Sequence, residues 1–123
     1  MALIATTAMA ACVPDVRDVV SGPSYGAVNT RLLEGDLVAI DVTMKNASAE
    51  ADVIAFNDCA AAQYALIRGA GFVRRVTNTV NRSGRTWMGN GVYTLSDAHP
   101  GGTFTIDAAV TAQACRADNI PMV

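Results

Sequence analysis

Lysine is almost missing from this chain: of nine basic residues only Lys45 is not an arginine, and no basic residue precedes Arg17. Histidine and tryptophan occur once each, as His99 and Trp87, and aromatic residues make up 6%. A single histidine leaves no set of imidazoles to hold a metal, and no Ser-His-Asp order with a nucleophile elbow is present. Nine basic against eleven acidic residues, with no basic stripe, exclude the electrostatic footprint of a nucleic-acid binder. Charged residues are only 16% of the chain while 51% are hydrophobic, a balance that excludes disorder. What remains is one small domain of 123 residues, rich in alanine and valine and so thin in its core.

Three cysteines are present, an odd number that asks which one stands apart. The first, Cys12, follows the uncharged stretch Met1 to Ala11, which reads MALIATTAMAA. That stretch is too short to cross a bilayer, which takes about 20 apolar residues as a helix. It reads as a targeting segment, the other reading being a short buried helix or strand with Cys12 as an ordinary buried thiol. Val13 to Ala27 contains Pro14, Gly22, Pro23 and Gly26 and no sustained periodicity, as expected of a tether.

Met9-Ala10-Ala11-Cys12 resembles the lipobox of bacterial lipoproteins, in which an apolar residue and two small ones precede a cysteine that is lipidated after signal cleavage. The resemblance implies a signal over residues 1–11, a tether over 12–29, and a domain over 30–123. It also implies attachment to the membrane through an acyl chain on Cys12, in the palmitate class. Val13, where an aspartate would retain a lipoprotein on the inner membrane, implies the outer membrane facing the periplasm.

With Cys12 set aside, Cys59 and Cys115 form an even pair, expected to be joined in the oxidising periplasm. Strict strand alternation from Phe104 would put Cys115 on the wrong face for that bridge, which then requires a bulge or break after about Ala109.

In the domain, Val38, Ile40, Val42 and Met44 alternate with Ala39, Asp41, Thr43 and Lys45, so Leu37 to Lys45 is a half-buried strand. The period then changes. Ser48 is the expected helix N-cap, Glu50 and Asp52 suit the first turn, and Arg68 with Gly69 marks the end. The expected apolar stripe is Val53, Phe56, Ala60, Tyr64 and Ile67. Three further strands are expected: Phe72 to Val80, Arg85 to Ser96, and a last one from Thr103 through Ala114. The predicted fold is α+β, one amphipathic helix on a mainly antiparallel sheet of about four strands in the order β-α-β-β-β.

Candidate chemistry is sparse. His99 sits in a breaker-rich turn, Gly89-Asn90-Gly91 lacks the lysine and helix of a phosphate loop, and no cofactor is indicated. Arg74, Arg75, Arg82 and Arg85 on one hairpin, beside Trp87, form the only concentrated charge. They are a candidate anion or partner face, for instance toward peptidoglycan carboxylates or lipid phosphate. The functional expectation is a non-enzymatic envelope lipoprotein that binds or supports another envelope protein or peptidoglycan. The alternative is a soluble accessory subunit of a larger assembly without lipid; a small periplasmic enzyme ranks third.

Overall fold

A computed structural model describes residues 22–122 of the chain. Its elements run β1 (Ser24–Leu32), β2 (Leu37–Lys45), α1 (Glu50–Ile67), β3 (Phe72–Ser83), β4 (Thr86–Ser96), β5 (Thr105–Asp107) and α2 (Ala108–Ala117). The five strands form one sheet in the order β1-β2-β4-β3-β5, every neighbouring pair antiparallel. The α+β class and the antiparallel sheet stand as expected, with five strands and two helices in place of four and one.

The alternation in β2 sets the inner face. Val38, Ile40, Val42 and Met44 are buried, and the register places Tyr93, Gly91, Gly89 and Trp87 of β4 beside them. Arg75, Asn78, Val80 and Arg82 of β3 continue the same rows. α1 lies on this face, connecting β2 to β3 across the β4 between them, while among the described residues no helix covers the outer face. Alanines let α1 come close: Ala60, Ala61, Ala62 and Ala65 are all buried. Fully burying a side chain such as Ile40 or Phe56 contributes about 1.5–3 kcal/mol, so these few large residues dominate a core otherwise built of methyl groups.

At the start of α1 the N-cap is Ala49 rather than Ser48. The Asp52 carboxylate substitutes for a capping hydroxyl, accepting from the backbone N–H of Ser48 at 2.9 Å and of Ala49 at 3.3 Å. At the other end Arg68 is the C-cap and Gly69 takes φ +79°, a left-handed conformation that suits glycine. The expected stripe is right at Val53, Phe56 and Ala60 but not at its end, since Tyr64 is only half buried and Ile67 is 70% exposed. The cause is a second helix. Cys59 and Ala62 on the flank of α1 are buried where α2 packs, so burial wraps around α1 instead of following one stripe.

Two further expectations are corrected. The tether does not extend to residue 29, because Ser24–Leu32 is an edge strand paired with β2. A bulge between Tyr25 and Val28 breaks its alternation, and most of its side chains are exposed, which removes the apolar signature. The strand expected through Ala114 stops at Asp107, whose carboxylate accepts from the Val110 N–H at 3.1 Å and starts α2. In the sheet β5 pairs with β3 rather than with β4, so the last three strands are not a simple meander. Cys12, the residue 1–11 signal and the start of the tether lie outside the described residues.

Candidate functional site

The polar residues that penetrate the interior gather where α1 crosses β4 and β3. Asp58 of α1 is held by Arg75 of β3 at two points, Nε to Oδ1 at 3.1 Å and Nη2 to Oδ2 at 2.5 Å. The Tyr93 hydroxyl of β4 donates to Asp58 Oδ1 at 2.8 Å. The two charged side chains are 22% and 16% exposed, which makes this a largely desolvated pair. Burial, reinforced by the adjacent Asp58 charge and hydrogen bond, pushes the Tyr93 phenol far above its ordinary value, so it stays protonated. The Arg75 guanidinium is likewise raised, chiefly by its hydrogen bonds to Asp58.

Asn57, the neighbour of Asp58 on α1, is fully buried and donates to the Ile40 carbonyl at 3.2 Å. It ties α1 to β2 from above the sheet. The helix can sit this low because β4 presents glycines: a Cβ on Gly91 would lie 2.7 Å from Asn57 Oδ1, and one on Gly89 would lie 2.8 Å from Val53 Cγ1. Gly89 and Gly91 are therefore packing spacers under α1, not part of a phosphate loop.

The four hairpin arginines share a hairpin but not a face. Arg75 is consumed by Asp58, and its guanidinium also stands 5.1 Å from the ring centroid of the exposed Phe104. Arg74, its neighbour in β3, points to the opposite side of the sheet, as period-two alternation requires. Arg82 lies 4.8 Å over the Trp87 ring and donates to the Gly84 carbonyl at 2.9 Å. Arg85 sits in the turn, where its own carbonyl accepts from Asn46 N–H. Trp87 itself is core, 8% exposed. His99 works locally: its Nδ1 accepts from the Gly101 N–H at 3.0 Å, and its ring meets Phe72 edge-on.

Cys59 of α1 and Cys115 of α2 form a disulfide, with Cα atoms 6.0 Å apart. The face objection raised by strand alternation disappears because Cys115 is helical. Beside the bridge a groove of about 280 Å³ runs between the two helices, lined among others by Ala55, Asp58, Val110, Ala114 and Ile120. Its walls are mostly apolar; of its two carboxylates, Asp58 is paired with Arg75 and Asp118 stands at the C-cap of α2.

Asp58, Asn57 and the Tyr93 hydroxyl are the residues that sequence reasoning missed. A signal existed: position 57 falls four residues after Val53, on the face predicted to be buried, and a polar residue there calls for a partner.

A family model described as the YNQ4 C-terminal domain matches residues 25–119, from the second residue of β1 to just beyond α2. No curated protein and no solved structure matches the chain.

Proposed function

We propose that this chain, which belongs to the YNQ4 C-terminal domain family, is a small non-enzymatic lipoprotein of the bacterial envelope that binds or supports another envelope component. The observation that carries the reading is the Cys59–Cys115 bridge, since such bonds form and persist in oxidising compartments outside the cytoplasm. The lipobox-like Met9-Ala10-Ala11-Cys12 supplies the anchor in this reading. The interior charges support a binding rather than a catalytic role: Asp58, Arg75 and Tyr93 satisfy one another, leaving none of them as a free acid, base or nucleophile.

Intact mass of the membrane-extracted protein tests the anchor. The expected product starts at Cys12 and carries acyl mass, and Cys12→Ala moves the protein to the soluble fraction. An unprocessed chain starting at Met1 in the soluble fraction would defeat this reading and favour an unlipidated accessory subunit.

A further inference from the structure

The two edges of the sheet differ. β5 is three residues long and turns at once into α2, whereas β1 is nine residues long and its outer edge takes no strand among the described residues. Upstream, the bulge between Tyr25 and Val28 interrupts the edge. From Val28 to Leu32 the register with β2 is unbroken, so a regular five-residue edge is left unpaired among the described residues.

Edges that stay free are commonly guarded by an inward-pointing charge, a lysine, a proline or a bulge. Between Val28 and Leu32 this one has none of them. The residues facing the α1 side are Val28, Thr30 and Leu32, and the only charge, Arg31, faces the outer side at 3.7 Å from Asp41. Above the edge, an independent feature repeats the message: a groove of about 150 Å³ separates β1 from α1, lined by Val28, Thr30, Ala60, Gln63, Tyr64 and Ile67. Exposed apolar side chains stand on the same side, with Ile67 of the lining at 70% and Leu32, at the end of β1 on the α1 face, at 54%. Backbone groups in want of a strand and an apolar slot over them fit an added extended segment, with alternate side chains entering the slot.

We infer that the occupant is the β1 strand of a second copy of this chain, paired antiparallel about a twofold axis at Thr30. That register sets Val28 against the second copy's Leu32 and Asn29 against its Arg31, and each Thr30 against the other. Apolar meets apolar, polar meets polar, and no like charges oppose. The two sheets become one ten-stranded sheet, and both exposed Leu32 side chains are covered. The inference stands independently of lipidation, because Cys12 takes no part in it.

The test uses the full chain carrying Cys12→Ala, by sedimentation from about 1 µM to about 1 mM. A reversible dimer is expected, weakened at least about tenfold by Leu32→Lys with Ile67→Lys, two exposed positions whose change leaves the thermal transition of the fold in place. Thr30→Cys is expected to give a covalent dimer under mild oxidation, well ahead of Val110→Cys, which is 64% exposed on α2 and far from the edge. A monomer at every concentration overturns the inference, even if the edge captures a strand of another protein. So does a dimer indifferent to the two lysines, or a Thr30→Cys chain that cross-links no faster than the Val110 control.

Discussion

Arg75 and Asp58 clasp each other across the interface between sheet and helix, joining β3 to α1 at two points, with the Tyr93 hydroxyl closing the group from β4. Three elements thus meet on one carboxylate. Asp58→Ala leaves a largely buried guanidinium and a phenol without their acceptor and is expected to cost about 3 kcal/mol, as is Arg75→Ala. The double variant is expected to cost less than the sum, by about 1–3 kcal/mol, because the second change removes the group that the first stranded. Urea midpoints of the four proteins read this cycle. Additive losses would show that the pair is not coupled.

Tyr93 makes the stability depend on alkaline pH. Its folded-state value is raised above the unfolded one, so its contribution is fully present below about pH 10 and declines as pH rises above it, where the unfolded chain releases the proton and the folded one does not. Denaturation midpoints at pH 7, 9 and 11 are expected to fall most between the last two. Tyr93→Phe is expected to flatten that fall while costing about 1–2 kcal/mol at pH 7 for the lost hydrogen bond.

The Cys59–Cys115 bridge closes a loop with a sequence separation of 56, for which chain entropy gives a stabilisation of roughly 4 kcal/mol. Cys59→Ser with Cys115→Ser is expected to lose about 2–4 kcal/mol, a large part of what a domain of this size possesses. Thiol alkylation in denaturant before reduction checks the bridge directly. Two reactive cysteines beyond Cys12 would refute it.

Gly91 is the tightest point under α1. A methyl group there would lie 2.6 Å from Tyr93 Cε2 and 2.7 Å from Asn57 Oδ1, two side chains that are themselves held by hydrogen bonds, to Asp58 and to the Ile40 carbonyl. Gly91→Ala is expected to destabilise by about 1–3 kcal/mol, by overpacking. Gly22→Ala, with open space around the added carbon, is expected to change thermal stability little.

The strand β2 was legible to the residue, because one buried face and one wetter face imprint a strict alternation on Leu37–Lys45. β1 was not, since an edge strand with a bulge and exposed side chains carries no such imprint. α2 was hidden by its neighbour: Thr103 to Asp107 alternates, and alanines that follow suit either a strand or a helix. The spacing of Ala108, Ala112 and Cys115, with Asp107 as cap, was the helical signal within it. Of the candidate site, the cysteine pair was legible from the count with Cys12 set aside, although strand alternation argued against it. The partition of the hairpin arginines was not, because which face a strand residue occupies depends on the bulge between Arg75 and Thr77.

The placement of the bridge divides the chain mechanically. Everything from Cys59 to Cys115, including β3, β4 and β5, lies inside a covalent ring, while β1 and β2 lie outside it. A pull applied from the N-terminal side therefore peels β1 and then β2 against hydrogen bonds and packing alone. Tension then passes through α1 to Cys59 and across the sulfurs, so the ring is never drawn out. The part of the domain that yields first is the part that carries the β1 edge, and a protease cut anywhere within the ring leaves both pieces joined.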